Sequence, residues 1–279
     1  MTDRAWSSPR GTAWMAFEGG APVLRFESDE EWHELARRAQ RRLATLDSPA
    51  ALPMIGDSVS PDAGQGWRVL VLRFAPASPR AARRISPVRA ASLAVDLAAL
   101  VQAHREAGGT EVLGPHHPAF VVTTDAGERF VAPGFARLAE DHDAGIRGMR
   151  GGGRISHTRF TCDQLRGTPG APHEVSCLAL LVIELVAGRE PYPLANEMEY
   201  MRAVRAGDHE PLDPLVPELS RSLRRMFERA LRVEAAARPT LRELCEALLA
   251  EPGVAELRAR AATTGDEAPR PAKPWWKLW

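Results

Sequence analysis

Cysteine is scarce in this chain. Cys162, Cys177 and Cys245 are the three cysteines in 279 residues, and they stand far apart, with neither a CxxC pair nor a metal-ligand spacing. A disulfide-stapled secreted scaffold is thereby excluded, and reduced thiols in a cytoplasm-like compartment are expected. An excess of one charge is also missing, because Lys+Arg 36 balance Asp+Glu 36. A general nucleic-acid binder needs a basic face; only Arg37, Arg38, Arg41 and Arg42 cluster, and these read as the solvated side of a helix. Long apolar runs are absent too. The most apolar one, residues 175–188, is short and interrupted by Glu184, and the opening MTDRAWSSPRGTAW has no leader-like apolar stretch, so no membrane span or secretory signal is expected. His116 and His117 form the one adjacent histidine pair; without a third ligand at useful spacing they read as an exposed turn, and no metal or cofactor is expected.

What the chain does have is the composition of a compact protein, 44% apolar and 26% charged, at a length that suits one large domain or two lobes. Residues 12–26, TAWMAFEGGAPVLRF, predict two strands joined by a Gly19, Gly20 turn. Ser28, with Glu31 three residues on, reads as a capping box opening a helix whose apolar positions are Trp32, Leu35, Ala39, Leu43 and Leu46. After a break at Ser48 and Pro49, two more strands are expected at 52–55 and 67–74. From about residue 86 the pattern turns helical. The segment VRAASLAVDLAALVQAHREAGG predicts a helix stopped at Gly108 and Gly109. A β-like patch follows at 120–123 and 129–131 around a turn at 125–127, and residues 138–160 carry no periodicity. Leu178, Leu181, Val182 and Leu185 lie at i, i+3, i+4 and i+7 of a helix apolar nearly all round, as a buried central helix requires. Helices are expected near 196–206 and 219–232, and Thr240 opens a last one with Glu243 in capping-box register.

Residues 161–192, TCDQLRGTPGAPHEVSCLALLVIELVAGREPY, resemble the part of a bacterial (Hanks-type) serine/threonine protein kinase that runs from the end of the activation segment through the central helix of the C-lobe. Cys162 and Asp163 stand where that family has Pro-Glu, and Arg238, Pro239 and Thr240 resemble its Arg-Pro-Ser/Thr. Glu174 matches the aspartate that starts the central helix, and Ser48 with Pro49 matches a His-Pro that follows the N-lobe helix. The resemblance covers roughly residues 12–250. It implies an α+β, two-lobed kinase-like fold, with a β-rich N-lobe over 1–76, a helical C-lobe over 77–252, and a linker with a tryptophan-rich tail over 253–279. It also implies a buried ion pair between Asp163 and Arg238.

The same register implies a dismantled site. Phosphoryl transfer needs a carboxylate to orient the hydroxyl, ligands for Mg²⁺ and a lysine on the phosphates. Pro115 falls on the catalytic aspartate, Phe120 on the metal-binding asparagine, and Ala132 on the aspartate of Asp-Phe-Gly. Arg25 falls on the strand lysine, for which a planar guanidinium is no equivalent, and Ala39, or Gln40 in a slipped register, falls on the helix glutamate. Gly11 is the single glycine in the segment WSSPRGTA, so a phosphate cradle is not expected. The nearest spare carboxylates, Glu111, Asp125 and Glu128, have no catalytic context.

The resemblance therefore implies a pseudokinase: a non-catalytic regulator or scaffold in bacterial signalling that binds a protein partner, whether an active kinase, a phospho-reading module or another signalling protein. Ser156, Thr158 and Thr161, beside Arg147, Arg150, Arg154 and Arg159, are candidate phosphorylation sites; the plain alternative is a loop without a role. The ending WWKLW presents Trp275, Trp276 and Trp279 as a docking motif for a partner groove, with packing onto its own domain or peripheral attachment to a membrane surface as the alternatives. Two other function classes stand beside this one: an atypical kinase or nucleotide-dependent transferase with a displaced site, and a membrane-interface adaptor using the tail.

Overall fold

A computed structural model describes residues 4–8, 11–28, 30–46, 48–61, 68–80, 84–107, 118–125, 127–131, 162–163, 171–192 and 196–263. The chain forms two compact units, Met1–Asp47 with Ala51–Ala81 and Ala119–Arg159, and Ser48–Ala50 with Ala82–Pro118 and Phe160–Trp279.

The first unit is built on an antiparallel sheet of five strands in the order β1-β2-β3-β5-β4: β1 (Arg4–Ser8), β2 (Gly11–Glu18), β3 (Ala21–Ser28), β4 (Met54–Pro61) and β5 (Arg68–Phe74). Gly19 at φ 59° and Gly20 at φ 81° close the β2–β3 hairpin with Glu18 opposite Ala21. A two-residue turn that matches strand twist needs positive φ at both central positions, which two glycines adopt without cost to a Cβ. In β5, Leu70, Leu72 and Phe74 are fully buried while Arg73 faces out, and Leu24 of β3 lies opposite Leu72. Helix α1 (Glu30–Ala44) packs on β3 and β4. A second, three-stranded sheet joins β6 (Ser78–Pro79), β7 (Val121–Thr124) and β8 (Gly127–Phe130).

Two expectations change here. Ser28 is the last residue of β3, paired with Gly11 and Arg68, and α1 starts at Glu30, so strand pairing takes the residue that the capping-box spacing had assigned to the helix. Strand β4 runs over Met54–Pro61 rather than 52–55, because pairing with β5 carries the weakly β-forming GDSVSP along an edge. On α1, His33 and Gln40, seven residues apart, are buried, and Arg37 between them binds Asp57 of β4 at 2.6 Å. The buried part of α1 therefore includes polar side chains.

The second unit is helical. Helix α2 (Pro87–Glu106) starts at Ser86, whose hydroxyl accepts from the Arg89 N–H, with Pro87 at the first helical position, a favoured start. Helix α3 (Ala171–Ala187) is buried at every residue from 173 to 187, Leu178, Leu181, Val182 and Leu185 fully so. It packs on α2, α6 and α7, and the Ser176 hydroxyl reaches the Ala230 carbonyl at 2.7 Å. Helix α4 (Glu197–Ala206) is capped by Asn196 and ends at Gly207, φ 71°. Then follow α5 (Leu212–Leu215), α6 (Arg221–Ala230) with Ser220 as cap, and α7 (Leu241–Leu249) with the full Thr240–Glu243 capping box. The helix begun by Thr240 is not the last: α8 (Val254–Thr263) lies in the segment expected to be linker. It packs on α2, where Arg258 reaches Asp96 at 2.7 Å and the Ser92 hydroxyl at 3.3 Å. Among the described residues no helix is long and apolar enough to cross a membrane.

Candidate functional site

Arg25 sits in the middle of β3, between Trp14 of β2 and Val71 of β5. Its guanidinium is bound to Glu18, at the end of the neighbouring strand. The guanidinium that the resemblance sets on the family's strand lysine is thus ion-paired within its own hairpin. Lysine is no alternative source of charge in this unit, since the chain has lysine only at 273 and 277. Gln40, three residues beyond Arg37 on α1, is 3% exposed. Its Nε2 has no hydrogen-bond partner among the described residues.

Phe120 ends a short 3-10 turn, Pro118–Phe120, that leads into β7. It is 1% exposed, stacked on Phe130 of β8 with centroids 5.8 Å apart and planes 24° off parallel. Its carbonyl accepts the Val131 N–H at 2.7 Å. An aromatic pair at this separation holds together by dispersion and quadrupole contact as well as by burial. Phe120, which the resemblance sets on the family's metal-binding asparagine, is therefore an anchor of the β7–β8 ribbon. Pro115 and Ala132 lie outside the described residues, as do Ser156, Thr158, Thr161 and the tail tryptophans Trp275, Trp276 and Trp279.

In the helical unit, Asp163 and Arg238, 75 residues apart in sequence, are brought together. Arg238 has no exposed side-chain surface and Asp163 has 8%. All three guanidinium nitrogens are engaged. Nε donates to the Arg232 carbonyl at 2.6 Å. Nη1 donates to Asp163 and to the Pro172 carbonyl, and Nη2 to Asp163, to the Val233 carbonyl at 3.2 Å and to the Cys162 sulfur at 2.8 Å. Burial alone would lower the arginine pKa, but the Asp163 hydrogen bond and charge, helped by Cys162, reverse this and the net direction is up. A bidentate guanidinium–carboxylate fork in this setting fixes geometry as well as charge. It ties the segment at 162–163 to the start of α3 and to the loop before α7.

Glu174, 1% exposed in the first turn of α3, binds Arg105 in the last turn of α2. Each charge complements the dipole of its own helix, an anion at the N-terminus and a cation at the C-terminus. Burial lowers the Arg105 pKa. Sequence reasoning picked out Glu174 and missed Arg105, as it missed Glu18 beside Arg25 and Cys162 as a partner of Arg238. Arg105 lies 69 residues from its partner, and no local pattern announces such a pair. Buried Cys177 also makes a local contact, its sulfur lying 3.3 Å from Nε2 of His173 one turn earlier on α3.

No family model and no curated protein sequence match the chain. Solved structures do. The Mycobacterium tuberculosis PknI kinase domain, in a mutant form, is similar at 16% identity with a TM-score of 0.54, covering 92% of this chain and 97% of that one. A second structure of the PknI kinase domain gives 17% identity and a TM-score of 0.54 over 88% and 93%. At that identity the likeness establishes the fold: with its small antiparallel-sheet lobe and mainly helical lobe, this chain has a bacterial serine/threonine protein kinase-like fold.

Proposed function

We propose that the chain is a catalytically inactive protein-kinase-like protein, a pseudokinase, that acts as a regulatory or scaffolding partner of another protein in bacterial signalling. The observation that carries this reading is Phe120, an aromatic core residue stacked on Phe130, which the sequence resemblance sets on the metal-binding amide of a kinase. Mg²⁺ takes near-octahedral oxygen ligands, and a phenyl ring buried in a hydrophobic pair offers none. Three further features point the same way. Arg25 is held by Glu18. Pro115 and Ala132 have no carboxylate, and no lysine occurs before residue 273. The residues present do not fit a Mg²⁺–nucleotide complex, so no phosphoryl-transfer step is assigned to them.

A kinase fold without that chemistry retains its surfaces and its buried clamp. Fold alone does not give function, so the reading depends on the particular residues above. Its test is a thermal-shift titration with ATP and with ADP, each with and without Mg²⁺ or Mn²⁺. A ligand that binds only the native state, present at a hundred times its Kd, stabilises it by about 2.7 kcal/mol. The expected result is no shift at millimolar nucleotide. A saturable, metal-dependent rise in melting temperature would overturn the pseudokinase reading in favour of a displaced active site.

A further inference from the structure

The three cysteines differ in what they touch. Cys177 and Cys245 have no exposed surface, and burial above all pushes the Cys245 thiol up to about 12. Cys162 keeps 6% exposure, and its sulfur lies closer to Arg238 Nη2, at 2.8 Å, than Asp163 Oδ1 or the Val233 carbonyl, each at 3.2 Å. A guanidinium donates and never accepts, so the sulfur is the acceptor. The contact in which its own S–H would donate, to the Val233 carbonyl, is 4.0 Å long. A partly exposed sulfur held as an acceptor beside a fixed cation has the surroundings in which cysteine attacks electrophiles.

Two separate contacts join this sulfur to solvent. An open recess of roughly 260 Å³ has Gly207, His209, Glu228, Arg232 and Val233 in its wall. Arg232 and Val233 give their carbonyls to Arg238, and Val233 borders both the recess and the Cys162 sulfur. From the same wall His209 meets Tyr192 edge-on, with centroids 6.1 Å apart. Buried Tyr192 in turn lies beside Cys162: burial first, and then the Cys162 charge, hold its hydroxyl above the usual range. The surroundings are tight, with three carbonyls within 2.6–3.2 Å of the guanidinium nitrogens. In so close-packed a place an oxygen added to the sulfur must displace a neighbour.

We propose that Cys162 is a peroxide-reactive site whose oxidation loosens the Asp163–Arg238 clamp. The thiolate sulfur attacks one oxygen of hydrogen peroxide; an S–O bond forms as the O–O bond breaks, and hydroxide leaves and takes up a proton to become water. Sulfur gives up two electrons, the peroxide gains them, and the product is a sulfenic acid. Its oxygen crowds the guanidinium, which weakens the tie from the segment at 162–163 to α3 and to the loop before α7. A dithiol reverses the change, returning the thiol and water and leaving as its own disulfide. The device does not depend on whether the chain binds nucleotide.

In the test, the full chain is treated with hydrogen peroxide, trapped with dimedone, which condenses with sulfenic acids, and digested for mass spectrometry. Dimedone is expected on Cys162, and about tenfold less or lower on Cys177 and Cys245. In thermal melts, peroxide is expected to lower the wild-type melting temperature by about 3 °C or more. Dithiothreitol restores it, and Cys162→Ser shows no peroxide-dependent fall. Oxidised methionines are not reduced by dithiothreitol and persist in the variant, so they cannot produce this pattern. Labelling and reversal are read on wild-type chain alone and hold whether or not Cys162→Ser folds. The proposal is overturned if Cys162 is not labelled, or if all three cysteines are labelled equally, which is the mark of reaction through unfolding. Labelling of Cys162 without a reversible fall in melting temperature, or a fall that persists in Cys162→Ser, overturns it as well.

Discussion

Removing either end of the Asp163–Arg238 pair leaves an uncompensated charge with no water to receive it. In Asp163→Ala the guanidinium retains the Arg232, Pro172 and Val233 carbonyls and the Cys162 sulfur but loses both carboxylate oxygens. In Arg238→Ala a carboxylate that is 8% exposed loses its partner, and the Arg232, Pro172 and Val233 carbonyls lose a donor. Breaking one side of such a buried pair costs about 3–5 kcal/mol, a large share of the roughly 5–15 kcal/mol that keeps a typical protein folded. For a domain of this size that corresponds to a fall in melting temperature of about 6–20 °C. Far-ultraviolet circular dichroism follows the helices that the clamp joins. A double-mutant cycle separates pairing from packing: Asp163→Ala/Arg238→Ala should cost far less than the sum of the single losses, since each single variant already forfeits the interaction. Single variants within about 2 °C of wild type, well short of the fall expected for a domain of this size, or strictly additive losses, would refute the clamp.

Phe120→Asn, which introduces the amide that the resemblance expects at this position, should destabilise the β7–β8 ribbon by about 3 kcal/mol or more, as truncating a buried phenylalanine does; urea unfolding measures this, and an unchanged midpoint would remove Phe120 from the core. Gly207→Ala is expected to cost more than Gly20→Ala. Both positions have positive φ, a strain of about 1–2 kcal/mol for a residue with a Cβ, but at Gly207 that Cβ would come within 2.8 Å of Val233 Cγ2 while at Gly20 it meets open space; equal losses in thermal melts would contradict the difference. Glu243 in the α7 capping box accepts the Thr240 N–H and then its hydroxyl, which holds its carboxyl below the usual range. A depressed carboxylate stabilises the folded state above its unfolded pKa and loses that contribution as pH falls through its folded value. The stability gap between wild type and Glu243→Gln, no more than about 1 kcal/mol at neutral pH and followed by thermal melts, should therefore narrow as pH falls below about 4; a gap that stays constant with pH would exclude this role.

The amino-acid sequence by itself determined the features written in a few adjacent residues. The Gly19, Gly20 hairpin, the Thr240–Glu243 box and the apolar spacing of Leu178, Leu181, Val182 and Leu185 each specify their local structure because turn, cap and periodicity depend on neighbours within about one or two helical turns. The kinase-like architecture followed from those elements and from the motifs around Asp163 and Arg238. Tertiary structure decided what depends on distant partners. Ser28 carried a capping-box spacing yet joined β3, where Gly11 and Arg68 flank it. The GDSVSP segment has little strand propensity and became β4 because β5 offered it a row of backbone partners. Phe120 could be read from sequence as an asparagine lost; only the folded ribbon revealed Phe130 against it. Glu174 was legible from its motif but its partner Arg105 was not, since a charge acquires its role from what lies within a few ångströms of it, and 69 residues of chain separate those two until α2 and α3 pack.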